Sequence, residues 1–288
     1  MRGLPSHFPN QPSRSPRPQR SQDGRRPTGG ARSPRPGQNG DVARDSVLTR
    51  AVRIFDAFDP DHPSLSVSEI ARRTGLHVAT ASRLVEELVR HGLLARDERR
   101  RVRVGMRMWE LASRAAPTLG LREAAMPFME DLHAVIGHHT QLGVLDGREV
   151  LFVERLSMPS AVINVTRIAG RLPLHASSSG LVLLAHAPAG LQEDVLAGDL
   201  AAFTPSTVVD PRRLRALLAE VRRGGAALCP GYIDERATGI AVPIRGPDGR
   251  VIASLSVVVP NDANARAQIP ALKAAARGIS RAVGADML

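Results

Sequence analysis

Small and hydroxyl side chains open the helix-like segment from residue 77 to residue 88, where a helix meant only to fill a core could begin with any apolar residue. Thr80 and Ser82 carry hydroxyls that can hydrogen-bond to bases or phosphates, and Arg83 can reach a phosphate or the edge of a guanine. The apolar residues that follow the helical spacing i, i+3, i+4, i+7 are Ala81, Leu84, Val85 and Leu88. We therefore expect one buried face and a slim polar leading end that suits recognition of a nucleic acid.

The segment before this helix predicts a helix-turn-helix. Ser66 or Ser68 can cap a short helix, and Gly75 supplies a tight turn before the second helix. Such a second helix enters the DNA major groove with its N-terminus leading, where bulky apolar groups would clash. The candidate DNA contacts are His77, Thr80, Ser82 and Arg83. A helical hairpin used only for packing would show the same local pattern.

The stretch HGLLARDERRRVRVG predicts two short strands around a charged turn. Arg101, Val102, Arg103 and Val104 alternate, so we expect the valines to face the core and the arginines to face solvent. Such a basic hairpin beside a helix-turn-helix acts as a wing, and Arg101 and Arg103 are further candidate DNA contacts. The alternative is a solvated, charged edge that blocks strand pairing.

Helices are predicted on both sides of this unit. Val47, Leu48, Ala51, Val52 and Phe55 recur at helical spacing until DPDHP ends the helix. A second helix runs from Met106 to about Arg114, and the helical pattern continues after Pro117.

The remaining chain predicts an α+β domain built on an antiparallel sheet. Two hairpins are expected around Asp146–Gly147 and Asp248–Gly249. Between them lie one helix in HASSSGLVLLAHA and another in DPRRLRALLAEVRRGG, with Asp210 as N-cap, Pro211 at the first position and Gly224 beyond the end. A last helix is expected over residues 268–283.

The positive charge of the chain is concentrated at its N-terminal end. The net charge is +11: residues 1–44 contribute +7 from nine Arg and two Asp, residues 45–115 contribute +3, and residues 116–288 contribute +1. A basic end on a nearly neutral body indicates a polyanionic partner, and double-stranded DNA is the first candidate.

Residues 1–44 hold eight of the 22 prolines and predict a disordered Arg/Pro-rich tail. This tail is either an unstructured extension or a basic arm that attracts phosphates without regard to sequence. No apolar run reaches the length of a membrane helix, and the lone Cys229 fits a reducing compartment. We expect a cytoplasmic protein without a membrane partner.

Other chemistry-bearing residues do not form a recognisable catalytic or metal motif. His133, His138 and His139 cluster without a Cys or a carboxylate pair at ligand spacing, so no metal site is predicted. ASSSG lacks the G-x-S-x-G pattern of a serine nucleophile, and no Gly-rich phosphate loop that would indicate a nucleotide cofactor is found. Cys229 is either a reactive thiol or an inert wall residue. No catalytic residue and no cofactor are therefore predicted.

The stretch from Ser66 to Gly105 resembles the winged helix-turn-helix of the IclR family of bacterial transcriptional regulators. GRLPLHASSSG and GIAVPIRGPDGRVIASLSVVVP are similar to signature stretches of the C-terminal effector-binding domain of that family. The resemblance covers about residues 45–285. It implies a homodimer or a dimer of dimers, joined through the DNA-binding domains and the linker helix, and a GAF-like domain that binds a small organic effector, often a carboxylate.

The resemblance also implies the effector contacts. They are His175, Ala176, Ser177, Cys229, Gly239 and Ser256. The chain departs from the family pattern in this region: CPGY stands where an acidic run is common, Gly239 stands where Ser or Cys is frequent, and Val258 stands where a second Ser can occur. Because fewer polar groups remain, we expect an apolar or aromatic-bearing effector, or reduced affinity for small acids.

The sequence thus predicts a DNA-binding regulator controlled by a small effector, and not an enzyme. Its expected parts are a tail (1–44), a mainly α winged helix-turn-helix with a β wing (45–105), a linker helix (106–117) and an effector-binding α+β domain (118–288). Two alternatives remain open at this point: an enzyme built on the α+β domain, and a non-specific nucleic-acid binder that acts through its tail.

Overall fold

The computed structural model describes residues 45–59, 61–115, 117–158, 161, 166 and 168–285. The predicted tail, residues 1–44, and the last three residues of the predicted effector domain lie outside this part of the chain. The chain divides into two units, and the boundary between them falls after Arg50. In the first unit, the hydroxyl of Ser46 accepts a hydrogen bond from the amide of Thr49 at 3.0 Å, where helix α1 (Val47–Asp56) begins.

The predicted winged helix-turn-helix is confirmed. Its elements after α1 are β1 (Ser64–Leu65), α2 (Val67–Thr74), α3 (Val78–Arg90), β2 (Leu94–Arg96) and β3 (Val102–Val104). The three strands form an antiparallel sheet in the order β1-β3-β2. A single apolar core, with Ile54, Ile70 and Val85 fully buried, holds the helices against this sheet.

Local capping explains why the helix-turn-helix bends where it does. Ser66 caps α2 through a capping box, in which its hydroxyl accepts from the Glu69 amide and the Glu69 carboxylate accepts from the Ser66 amide. Gly75 ends α2 at a φ of 68°, in the left-handed region that glycine adopts without strain. Both features fix the angle at which α3 leaves the turn.

The prediction that both wing valines face the core is wrong for Val104. Val102 is fully buried, but Val104 is 45% exposed. Val104 is the last residue of a three-residue strand and pairs with Leu94 at the end of the sheet. Strand alternation fixes the side on which a residue lies, but it does not guarantee that core residues extend far enough to cover it.

The C-terminal α+β fold with an antiparallel sheet is also confirmed. Helices α4 (Met106–Ala115) and α5 (Pro117–Ile136) precede a six-stranded sheet in the order β6-β5-β4-β9-β8-β7, in which all neighbours run antiparallel. The strands are β4 (His139–Asp146), β5 (Glu149–Leu156), β6 (Arg171–Pro173), β7 (Ala227–Pro230), β8 (Ala237–Arg245) and β9 (Val251–Pro260). The helices between and after them are α6 (Ser178–His186), α7 (Ala189–Leu196), α8 (Pro211–Gly224), a short 3₁₀ helix (Ala265–Gln268) and α9 (Ile269–Ala285).

Two apolar cores lie on the two faces of this sheet. On one face, α6 and α8 pack over Phe152 and Ala241. On the other face, α5 and α9 pack over Ile240 and Val242. The strands in the middle of the sheet are therefore buried on both sides, which suits the apolar runs of β8 and β9.

Some details differ from the predictions. Gly224 is the last residue of α8, and the left-handed cap is Gly225, because the Gly225 amide bonds to the Val221 carbonyl and closes the last turn. The sequence pattern does not reveal β1, β6, β7 or α7, because their two to eight residues are too few for a clear hydrophobic period. Within the described residues, no helix has both the length and the apolarity needed to cross a membrane.

Candidate functional site

The N-terminal end of α3 is exposed, as DNA recognition through this end requires. His77 is the N-cap residue, and its Nδ1 accepts a hydrogen bond from the Ala79 amide at 3.3 Å. His77 and Arg83 are exposed, whereas Thr80 and Ser82 are half-buried. Arg83 has no hydrogen-bond or ion-pair partner among the described residues, so its guanidinium is available to a ligand. The opposite face of α3, including Leu84 and Val85, is buried in the core.

The two candidate arginines of the wing differ in what they contact. The guanidinium of Arg101 donates to the Ser64 carbonyl at 2.8 Å and to the Glu69 carboxylate at 3.1 Å. These bonds tie the wing to α2. Arg103 is exposed and has no such partner within the part of the chain that the structure describes. Of the two, Arg103 is the one whose charge is free to meet DNA.

A cavity opens on the face of the six-stranded sheet that α6 covers. It contains about 60 Å³ of accessible space, which is room for roughly four to six water molecules and hence for one small organic molecule. Four of the six predicted effector contacts line it, namely Ala176, Ser177, Cys229 and Gly239. The other wall residues are Gln141, Phe152, Thr166, Leu172, Ser178, Ser179, Tyr232, Ile233, Asp234, Ala237 and Val258.

His175 and Ser256 are not among the wall residues. His175 is buried, and its Nε2 donates to the Ala201 carbonyl at 3.0 Å. Burial lowers the pKa of His175, so the ring is held neutral. Ser256 accepts a hydrogen bond at 2.9 Å from the hydroxyl of Ser179, which does line the cavity. Both residues thus lie behind the wall, and their assignment as direct contacts stays a prediction.

The N-terminus of α6 gives the cavity a positive end. Ser177 caps this helix, because its hydroxyl accepts from the Gly180 amide at 3.1 Å. The amides of Ser178 and Ser179 come first in the helix and have no partner within the helix itself. Ser178 is 6% exposed, and within the described residues its hydroxyl has no hydrogen-bond partner. Amides and a hydroxyl at a helix N-terminus form an arrangement that binds carboxylates and other anions.

Gly239 leaves the space beside this helix end open. A Cβ atom at this position would lie 2.9 Å from the Ser178 hydroxyl oxygen and would displace it. The departure from Ser or Cys at Gly239 therefore widens the cavity next to its anion-binding end. Val258, on the neighbouring strand β9, contributes an apolar surface to the same wall.

Two of the few aromatic residues of the chain line the cavity. Phe152 is 2% exposed and Tyr232 is 9% exposed. Burial raises the pKa of Tyr232, so its hydroxyl stays protonated. Two other polar side chains of the wall already have protein partners: the Gln141 amide donates to the Thr166 hydroxyl, and the Asp234 carboxylate accepts from Arg236.

Cys229 behaves as a neutral wall residue rather than as a reactive thiol. It is 3% exposed, and burial raises the pKa of its thiol far above the usual range. Of the two interpretations that the sequence left open, the geometry favours the inert one.

The histidine cluster in the sequence does not assemble a metal-binding group in the structure. His139 bonds through Nδ1 to the Ser157 hydroxyl at 2.9 Å. Within the described ranges, no group of three His, Cys, Asp or Glu side chains is placed to hold a metal ion.

Several wall residues were not predicted from the sequence. Gln141 and Phe152 lie in β4 and β5, and a polar Gln directly before the apolar run LGVL was the available signal for an inward-facing functional residue. Tyr232 follows β7, a strand that the sequence pattern does not reveal.

A winged helix-turn-helix in the same chain as a ligand-sized cavity in an α+β domain is the design of a ligand-responsive transcriptional regulator. Two family models match the chain: "IclR helix-turn-helix domain" over residues 47–98 and "Bacterial transcriptional regulator IclR C-terminal" over residues 113–284. The chain belongs to the IclR family of bacterial transcriptional regulators.

Individual relatives agree with this assignment. The chain is 32% identical over 212 residues to the HTH-type transcriptional regulator XynR of Escherichia coli strain K12, covering 73% of this chain and 84% of XynR. It is also 32% identical over 242 residues to the HTH-type transcriptional regulator BhcR of Paracoccus denitrificans, covering 81% and 85% of the two chains. These relatives are named as regulators, and the enzyme alternative is not favoured.

A solved structure shares both the fold and much of the sequence. It is an IclR homologue from Microbacterium hydrocarbonoxydans complexed with 4-hydroxybenzoate, with a TM-score of 0.79 and 48% identity, covering 83% of this chain and 99% of that one. The chain is thus a DNA-binding transcriptional regulator with an effector-binding C-terminal domain.

Proposed function

We propose that the effector of this regulator is a single-ring aromatic acid bound in the cavity beneath α6. One observation carries the proposal: the cavity pairs a positive helix end with buried aromatic walls. The N-terminus of α6, with the free hydroxyl of Ser178, suits a carboxylate, and Phe152 and Tyr232 suit a ring. The 4-hydroxybenzoate in the related Microbacterium structure has both parts.

The same wall disfavours small, highly polar acids. Cys229, Gly239 and Val258 offer no charge, and the thiol of Cys229 stays neutral. A compact oxo-acid would leave apolar wall uncovered and would find few donors beyond the helix end. An aromatic acid covers that wall with its ring. The ring supplies the binding free energy, and the helix end fixes the orientation.

Calorimetry with the full chain tests this proposal. We expect 4-hydroxybenzoate to bind at least tenfold more tightly than glyoxylate or pyruvate. Gly239→Ala should weaken 4-hydroxybenzoate binding about tenfold, because the new methyl group displaces the Ser178 hydroxyl. Gly190→Ala is the matched control, since a Cβ there meets nothing within 4 Å. Tight binding of glyoxylate or pyruvate without binding of 4-hydroxybenzoate would refute the aromatic assignment.

The DNA-binding mode follows from the exposed front of α3. We place residues 45–105 on a roughly palindromic operator, with His77, Thr80, Ser82 and Arg83 in the major groove and with Arg103 on the flanking backbone. Arg101 holds the wing in position through its bonds to Ser64 and Glu69. Because DNA is the partner, this proposal locates the protein in the cytoplasm.

Effector binding is expected to change operator affinity by shifting the protein between two arrangements, one of which the effector binds better. A gel-shift titration with and without 4-hydroxybenzoate measures this coupling. A several-fold change in operator affinity supports effector control by this compound, and identical affinities would remove it.

Helix α4 carries the surface that we assign to dimer formation. Met106 is 72% exposed and Trp109 is 67% exposed, and their spacing of three residues places both on one side of the helix, an unusual exposure of apolar area for a monomer. A second copy of the chain would cover this area, as the family pattern implies. Trp109→Glu should shift the sedimentation coefficient towards the monomer and weaken operator binding, whereas Arg107→Gln, on the same helix, controls for the same change of one charge. A monomeric wild-type chain at micromolar concentration would refute the assignment.

A further inference from the structure

A second concavity lies between β8 and α9, away from the effector cavity. It encloses about 450 Å³ and shares no wall residue with that cavity. Val242 and Ala276, which belong to the core under α9, form part of its floor. Its polar wall residues are Arg245, Lys273, Arg277, Ser280 and Arg281. No carboxylate lines it in the part of the chain that the structure describes.

The positive charges of this groove form a row. Lys273, Arg277 and Arg281 follow one another at intervals of four residues in α9, which places them on one side of the helix about 6 Å apart along its axis. The sequence of α9 contains no Asp or Glu. Like charges at this spacing repel one another and destabilise a helix, and α9 provides no acidic residue to offset them. An anionic ligand would offset this repulsion.

Two of the charges are held in place by the surrounding backbone. The Lys273 ammonium donates to the Gly224 carbonyl at 2.8 Å, and the Arg245 guanidinium donates to the Gly249 carbonyl at 2.8 Å. The Arg245 amide also donates to the Ser280 hydroxyl at 2.9 Å, which joins β8 to α9. These positions are therefore set before any ligand arrives, which lowers the entropy cost of binding.

The other two charges have no partner of their own. Arg277 and Arg281 are exposed, and neither has a hydrogen bond or an ion pair within the described residues. A guanidinium matches a phosphate with two parallel hydrogen bonds, which makes Arg the side chain most suited to phosphate recognition. Four cations around one groove exceed what a single carboxylate can neutralise.

We propose that this groove binds an oligophosphate, the chain of phosphates found in inorganic polyphosphates and in nucleoside di- and triphosphates. A solvated basic face would be flat or convex, whereas these charges surround a concave space with an apolar floor. The ligand would span the row from Lys273 to Arg281, with Arg245 on the opposite rim. The regulator would then sense a second, phosphorylated signal at a site separate from its effector cavity.

Thermal unfolding of the full chain in low salt, with inorganic tripolyphosphate as the probe, tests the proposal. A ligand that binds the folded state raises the melting temperature. Arg277→Gln/Arg281→Gln should weaken tripolyphosphate binding at least tenfold, because each lost charge-assisted bond lowers affinity. The matched control, Arg212→Gln/Arg266→Gln, removes the same charge from exposed positions outside the groove and should change affinity less than twofold. The unliganded melting temperatures, together with the single variant Arg281→Gln, check that the groove variant folds.

Three results would overturn the proposal. The first is the lack of any shift with millimolar tripolyphosphate. The second is an equal loss in both double variants, which would mean diffuse attraction to the net charge. The third comes from non-operator duplex DNA: if the groove variant lowers the salt slope of DNA binding by about two but changes tripolyphosphate affinity less than twofold, the row contacts DNA backbone instead.

Discussion

The winged helix-turn-helix (the DNA-reading part) and the C-terminal α+β domain (the effector-binding part) differ in where their polar side chains lie. In the described residues from 51 to 105, Thr74 is the one buried polar side chain, and the candidate contacts on α3 lie on its exposed side. In the effector-binding part, hydroxyls and amides are buried in the middle of the protein, among them Gln141, Ser178 and Ser256.

This difference follows from the shape of each partner. A DNA duplex is large and binds to a convex surface of the protein. The protein side chains that contact it therefore stay hydrated until the duplex binds. A small effector must be enclosed, so some of its contacts are buried before it arrives. The Ser178 hydroxyl faces the cavity without a protein partner among the described residues, so a bound carboxylate adds a hydrogen bond that the empty site lacks. The effector-binding part should therefore gain stability from its ligand more than the DNA-reading part does.

The largest effect that we expect is a loss of folding stability in the effector-binding part, caused by a substitution in its tightly packed helix α6. Gly180 lies in α6 where a Cβ would come within 2.4 Å of the Leu174 carbonyl oxygen, a backbone atom that cannot move aside easily. Gly180→Ala should lower the free energy of unfolding by about 3 kcal/mol, by overpacking. Urea denaturation measures this loss.

Gly120→Ala is the control for this change, because a Cβ on that exposed α5 residue meets nothing within 4 Å. It should leave stability unchanged or raise it by up to about 1 kcal/mol. Equal losses in the two variants would show that α6 is not packed against the Leu174 backbone as described.

A smaller effect, a loss of operator affinity, is expected at the exposed front of α3. The substitution there should not change folding stability. Arg83→Ala removes an unpaired guanidinium from the front of α3 and should weaken operator binding by about 1–3 kcal/mol. Arg90→Ala, at the other end of α3, removes an arginine that pairs with Glu87 at 3.3 Å and should change affinity by less than half as much. Fluorescence anisotropy with a labelled operator checks both, and similar losses would place the contact elsewhere on the helix.

The smallest effect that we expect is a pH dependence of the free energy of unfolding that originates from one thiol in the effector-binding part. Burial raises the pKa of the Cys229 thiol in the folded state, while the unfolded thiol ionises near pH 9. The folded state therefore keeps a proton that the unfolded state releases, so this contribution is complete below pH 8 and is lost as the pH rises past 9. The free energy of unfolding should fall by about 1.4 kcal/mol per pH unit there.

Cys229→Ala should remove that slope between pH 9 and pH 10, when both proteins are compared in a reducing buffer. Tyr232, whose pKa burial also raises, adds its own loss at higher pH in both proteins and so does not affect the difference. Identical slopes would mean that the thiol is exposed to solvent in the folded state.

The sequence predicts the DNA-reading part better than the cavity, for a physical reason. Ser66, Gly75 and the apolar spacing of α3 are local signals, and each acts within a few residues of the structure that it determines. The cap and the turn are found where these residues predict them. Val104 is an exception because its exposure depends on where the sheet stops, which no local pattern contains.

The cavity depends on distant parts of the chain that meet in space. Phe152, Ser178 and Tyr232 come from three elements, and no spacing in the sequence brings them together. The family resemblance supplied Cys229 and Gly239, which do line the wall. It did not indicate that His175 would turn to the Ala201 carbonyl, because that bond depends on the loop after α7.

Trp109 is the only tryptophan in the sequence, and it lies exposed on α4. Its indole emission therefore reports on one helix alone, without the overlapping signals that complicate most proteins of this size. If that emission shifts to shorter wavelength as the protein concentration is raised, the shift gives the concentration at which the indole ring becomes buried. The unlabelled protein thus carries its own optical probe of association.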